Sequence, residues 1–296
     1  MIATDFIYDG QRLTSLGYMV CQFDESGGFV SSSAGSQLTF YKVSANCGKN
    51  YWMAGSQYDE QFEADISICK PDGSEITPVE NAALMRWLNR PEYHDLYIGM
   101  APIERTDEYI ASREGDFIVT RDGDRLHILE YLQYHYDDIH YRGTFNVDKV
   151  EHRGKIIGMT LHFTSDGPFG YGMSRSETFE LRANGSYSFE DTSDEVGYLY
   201  PDSMQIVCNG SGDLILTNSI ENRRTVINNV SAGEVITFDK TVASLTSSMG
   251  SHSILDDFNY NFFRIANKYD DRTNTITVSL PCSIKFSYTP RRKVVF

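Results

Sequence analysis

Five of the seven histidines, His127, His135, His140, His152 and His162, lie between residues 127 and 162, so a metal site is the first chemistry to test. Histidine ligands on a strand need i, i+2 spacing, and on a helix H-E-x-x-H spacing; neither occurs. The stretch YLQYHYDDIHY (131–141) reads instead as an exposed ribbon with alternating Tyr and His. Asp122-Gly123-Asp124 resembles a fragment of a calcium loop, but the full D-x-D-x-D-G-x5-E pattern is missing, and a hairpin turn between FIVTR and RLHIL fits better. The paired carboxylates Asp137-Asp138 and Asp256-Asp257 are adjacent in sequence. On a strand such neighbours face opposite ways, which suits solvated loops better than a shared substrate. Phosphate-binding glycine loops and the G-x-S-x-G nucleophile elbow are absent. With no nucleophile, base and orienter to assemble, the sequence assigns no catalytic, cofactor-binding or metal residue, and a non-enzymatic role is expected.

The cysteines, Cys21, Cys47, Cys69, Cys208 and Cys282, are odd in number, scattered and without a C-x-x-C pair. That argues against a zinc knuckle or a disulfide framework, and for a protein made in a reducing cytoplasm. Most sit in apolar strand patterns (MVCQF, ISICK, QIVCN), as small buried hydrophobes do. The formal net charge is -15, so specific nucleic-acid binding is not expected: phosphate contacts need clustered Lys and Arg. The one dense basic cluster, Arg291-Arg292-Lys293, reads as a solvated tail or an ion-pairing strand end rather than a nucleic-acid site. Apolar runs are too short for membrane insertion, and MIATDFIYDG has no secretory pattern.

The elements that would position these groups are nearly all strands, in keeping with an aromatic content of 13%. The exception is a helix over 77–90. Thr77 caps it, Pro78 suits its first position, Glu80 completes a T-x-x-E capping box, and Pro91 blocks continuation. Val79, Ala83, Leu84, Trp87 and Leu88 fall on one face, with Trp87 and Leu88 expected to dock on a sheet; Arg86 and Arg90 flank it. Strands are expected at 4–8, 17–23, 37–43, 62–69 and 93–98, followed by a long extended region over 108–164. Ser165-Asp166-Gly167-Pro168 is a strong break, and a boundary is placed near residue 172. Beyond it, short strands alternate with turns. Asn184-Gly185 is expected as a two-residue hairpin turn, and the pattern indicates a β-sandwich. The fold class is all-β with one inserted helix.

Four stretches carry a resemblance to the distal tail proteins of long-tailed bacteriophages. FIYDGQRLTSLGYMVCQFD (6–24) is similar to the family's first hairpin. PVENAALMRWLNRPEYHDLYI (78–98) resembles its helix with a W-L-x-R core and the following strand. YRGTFNVDKVEHRGKIIGMTLHFTSDGPFGYG (141–172) resembles its long hairpin, and NTITVSLPCSIKFSYTPRRKVVF (274–296) its final hairpin. The resemblance implies an N-terminal ring-forming β-barrel or sandwich domain, 1–172, with the helix and an extended arm over 108–164, and a C-terminal galectin-like β-sandwich, 173–296. It further implies a structural, hexameric ring hub at the virion tail tip through which DNA passes. The implied partners are the tail tube protein, the tail-tip hub protein, and tape-measure and receptor-binding proteins. The alternative is a carbohydrate-binding adhesin or receptor-binding module acting through the C-terminal sandwich. Tyr198, Tyr200 and Tyr260 are the aromatics for such a platform, although core or interface packing suits them better. A polysaccharide-degrading enzyme is a third reading, with no carboxylate pair to support it.

Overall fold

The computed structural model describes residues 3–23, 28–31, 37–45, 48–100, 139–268 and 270–293. The chain divides into two compact units: residues 1–171 with the chain end from Lys293, and Gly172–Arg292. The first unit is built on an eight-stranded sheet. Its order is Gln11–Arg12, Ala3–Tyr8, His94–Met100, Tyr141–His152, Lys155–Ser165 and Glu63–Cys69. Two short strands, Met19–Val20 and Phe29–Ser31, both pair with the outer edge of Glu63–Cys69. Every pairing is antiparallel. Alternation sends Ala64, Ile66 and Ile68 inward and leaves Glu63 and Asp65 outside, as period-two patterning requires. A separate hairpin pairs Gln37–Ala45 with Gly48–Gln57.

The helix runs over Pro78–Leu88 with the full capping box at Thr77 and Glu80. The Glu80 carboxylate accepts from Lys70 Nζ and from the Thr77 amide, both at 2.8 Å. These contacts, the lysine first, hold its pKa down to about 2. Leu84, Trp87 and Leu88 are buried in the same core as Phe6, Tyr8, Phe145 and Phe163. Trp87 stacks on Phe6 with centroids 5.9 Å apart, and its Nε1 donates to the Tyr8 carbonyl at 3.0 Å. The expected apolar face is narrower than its spacing suggested: Val79 is 80% exposed and Ala83 is also outside. Eleven residues make about three turns, and the stripe that reaches the sheet is Leu84, Trp87 and Leu88 alone.

The extended arm expected over 108–164 needs correction in its second half. Residues 141–164 run through the middle of the sheet as two strands paired to each other and to neighbours on both sides. The turn between them is Arg153-Gly154, both at positive φ, the geometry of a two-residue hairpin. Residues 101–138 lie outside the described residues. At Gly143 the strands approach so closely that a Cβ would lie 2.4 Å from the Thr164 carbonyl oxygen and from the Phe163 ring, so only glycine fits.

The second unit is a sandwich. One sheet orders Arg175–Leu181, Cys282–Tyr288, Ser203–Cys208, Val235–Asp239 and Ser244–Ser247; the other orders Ser186–Glu190, Thr273–Val278, Gly212–Asn218 and Arg223–Val230. Inward residues of both sheets, among them Phe179, Ile206, Leu216, Ile227, Ile276 and Phe286, form one core. Asn184-Gly185 is not a hairpin turn: the strands it joins belong to different sheets, and Asn184 takes a left-handed φ of 57° at that corner. The final pair, Thr273–Val278 and Cys282–Tyr288, likewise splits between the sheets, so it too is an arch rather than a hairpin. Strands that each need one face in the core gain more by crossing the sandwich than by pairing with their sequence neighbour.

Candidate functional site

Of the clustered histidines, His140, His152 and His162 are described; His127, His135, Asp122–Asp124 and Asp137–Asp138 lie outside the described residues. His162 stands on the outer sheet face between carboxylates of the two flanking strands. Its Nδ1 is 2.6 Å from Asp65 Oδ1, and its Nε2 is 3.3 Å from Asp148 Oδ2. Burial opposes its charge, but hydrogen bonds and charge from Asp65 and Asp148 prevail and raise its pKa. His140 sits between Tyr97 and Tyr171, with centroids at 4.9 and 5.4 Å, and burial lowers its pKa. His152 is exposed at a strand end. Among the described residues, no three His, Cys, Asp or Glu side chains are grouped to hold a metal ion.

Sequence reasoning missed His252, because its main partner, Glu234, lies 18 residues away in the turn before Val235–Asp239 and no sequence motif links the two. Its Nδ1 lies 2.5 Å from Glu234 Oε1, which also accepts from Ser247 Oγ at 2.5 Å. Glu234 Oε2 takes the Ser231 amide at 2.8 Å, and Asp257 Oδ2 faces His252 Nε2 at 3.3 Å. Glu234 is fully buried. Burial alone would raise its pKa, yet His252, Ser247 and the Ser231 amide outweigh that and lower it. Burial likewise opposes the charge on His252, and Glu234 and Asp257 overcome it to raise its pKa. The serine hydroxyl meets the carboxylate rather than the imidazole, so the set lacks the serine-to-histidine contact of a nucleophilic triad. It is a clamp tying Ser231, Ser247 and the Ile254–Asp257 helical turn together. Asp256 and Asp257 part company there: Asp256 accepts from Ser253 Oγ at 2.6 Å, and Asp257 serves His252 and Asn229.

The outward surfaces are where assembly chemistry would lie. In the first unit, Met19, Phe23 and Val30 are partly exposed on and around the two short edge strands. Phe23 lies over the outer sheet face, where a Cβ on Gly158 would strike its ring. In the second unit, Tyr198 is 54% exposed, with the Arg264 guanidinium 3.7 Å from its ring centroid. That guanidinium is held in a two-bond pair by Glu221, at 2.5 and 2.8 Å. Tyr260 is 61% exposed and donates to the Leu255 carbonyl, whereas Tyr200 packs against the core. No helix among the described residues is long and apolar enough to cross a membrane.

These two β-units correspond to two family models, a phage tail protein N-terminal domain over residues 1–110 and a phage tail C-terminal domain over residues 169–288. The chain belongs to this family of phage tail proteins and is a component of a phage tail. Its fold is that of a solved structure, the Dit (gp 19.1) protein of phage SPP1, described as a paradigm of the hub adsorption apparatus in phages infecting Gram-positive bacteria. The identity is 12%, the likeness covers 97% of this chain and 98% of that one, and the TM-score is 0.60. Two structures of the phage P2 baseplate in its activated conformation are also similar. The calcium form has 12% identity, full coverage of both chains and a TM-score of 0.44. The strontium form has 11% identity, 96% and 98% coverage and a TM-score of 0.41. No curated protein matches the chain.

Proposed function

We propose that this protein is the distal hub of the tail: a hexameric, non-enzymatic ring that joins the tail tube to the tip and lets DNA pass. The observation that carries the reading is the whole-chain likeness to the SPP1 Dit protein, across both units, in a chain of a phage tail family. Residues 1–172 would form the ring. Tube protein and tip hub protein are the proposed neighbours, with tape-measure and receptor-binding proteins beyond them. A charge of -15 per chain supports a DNA conduit, because repulsion of phosphate keeps the genome from sticking to the wall. Among the described residues, Met19–Val20 and Phe29–Ser31 end the sheet beside Glu63–Cys69, and a sheet edge is the kind of surface that neighbouring subunits cover.

Multi-angle light scattering and negative-stain imaging test the ring. Six copies of a 33.6 kDa chain give a particle of about 200 kDa with sixfold views. A species that stays at 33.6 kDa, both alone and mixed with the tube and tip proteins of the same phage, would overturn the proposal.

A further inference from the structure

Cys208 and Cys282 are far apart in sequence but directly opposite one another on neighbouring strands at the centre of the five-stranded sheet. The adjoining pair, Asn209 and Pro281, is joined by the Asn209 amide at 2.8 Å, which makes it the hydrogen-bonded pair of the ladder. Pairs alternate along an antiparallel ladder, so Cys208 and Cys282 occupy a non-hydrogen-bonded pair. Such pairs bring Cα atoms to about 4.5 Å, inside the roughly 4.4–6.8 Å range that disulfides span. Both side chains point to the same face, and both are fully buried in the sandwich core. Both residues are free thiols.

We infer that Cys208 and Cys282 form a disulfide once the phage tail has left the reducing cytoplasm, as an oxidation site built into the C-terminal sandwich. The oxidant is dissolved dioxygen. Two S–H bonds break and one S–S bond forms; the two protons and two electrons pass to dioxygen, which becomes hydrogen peroxide. In the cytoplasm the pair stays reduced, and outside the cell nothing reverses the reaction. Burial pushes the Cys208 thiol up to about 12 and the Cys282 thiol up to about 11, so little thiolate is present and oxidation is slow. Slow chemistry suits a particle that folds and assembles first and persists afterwards. The same burial shields the finished bond from reductants. The closed loop runs from Asn209 to Pro281 and contains all the strands of the four-stranded sheet except Ser186–Glu190, so the bond restrains most of the unit.

The full chain is purified under reductant, then half is held in aerated alkaline buffer and half is kept anaerobic. Peptide mapping of the aerated sample is expected to find a Cys208–Cys282 link. Its melting temperature is expected to exceed that of the anaerobic sample by roughly 10 °C, a gap that Cys208→Ala abolishes. The proposal is overturned if both thiols remain alkylatable on denaturation after prolonged aeration. A link between Cys21 and Cys69 with Cys208 and Cys282 still free would overturn it equally, and mapping of the unaltered chain decides this without any variant.

Discussion

In the N-terminal unit one face of a sheet is closed by a helix, and aromatic rings do most of the joining: Trp87 on Phe6, and Tyr8 on Phe145 at 4.8 Å. In the C-terminal unit two sheets close one another, and buried polar groups sit at the margins of that apolar core. Glu234 clamps Ser231, Ser247 and His252, while Asn218 donates to Asn274 Oδ1 at 2.6 Å beside the Arg264 carbonyl. Rings tolerate some sliding, whereas a buried carboxylate with three partners does not. The first unit therefore depends on volume and the second on hydrogen-bond geometry.

The sharpest break in that contrast is Trp87→Ala. It removes the stack on Phe6 and the indole donor to the Tyr8 carbonyl, and should cost the first unit about 3–5 kcal/mol. Urea unfolding followed by circular dichroism should show one transition moving and the other staying; equal shifts in both would refute the independence of the units. Glu234→Gln is the counterpart in the sandwich. It leaves the amide unable to satisfy all three donors and should lower that unit's stability by about 2–3 kcal/mol in the same assay. Gly143→Ala should cost the first unit about 1–3 kcal/mol, because the new methyl meets backbone at the Thr164 carbonyl. Thr77→Ala, at the helix cap, should cost about 1 kcal/mol.

Acidity sharpens the comparison more gently. His252 has a raised folded pKa, so its contribution is complete below the usual 6.5 and fades as pH rises through the raised value. Glu234 has a lowered folded pKa, so its contribution is complete above the usual 4.5 and fades as pH falls through the lowered value. Melting of the C-terminal unit should therefore decline on both the alkaline and acid sides, and His252→Gln should flatten the alkaline side. His162 in the first unit has a pKa raised in the same direction, but Asp65 and Asp148 are well exposed there, so His162→Gln should change that unit's pH profile least.

Local chemistry was legible where a few adjacent residues decide the outcome. The capping box and proline mark the helix start, and strands such as Ser186–Glu190 and Ser203–Cys208 follow their alternation to the residue. Gly48–Gln57 escaped notice because Gly48, Lys49, Asn50 and Gly55 dilute its strand character, although it pairs along its length with Gln37–Ala45. Pairing partners were harder to read. Residues 141–164 look extended whether they lie in an arm or at a sheet centre, and Asn184-Gly185 suits a hairpin as well as a corner. The Glu234–His252 clamp and the Cys208–Cys282 pair were illegible for a stronger reason: their members meet only through topology.

The arches at the end of the chain carry a consequence for synthesis. Thr273–Val278 lies between Ser186–Glu190 and Gly212–Asn218, and Cys282–Tyr288 lies between Arg175–Leu181 and Ser203–Cys208. Each sheet thus has a gap beside its earliest strand until Thr273–Val278 and Cys282–Tyr288 have been synthesised. A chain that stops short of them has two unfinished sheets, so a nascent chain cannot present this unit to the growing particle before both strands are made.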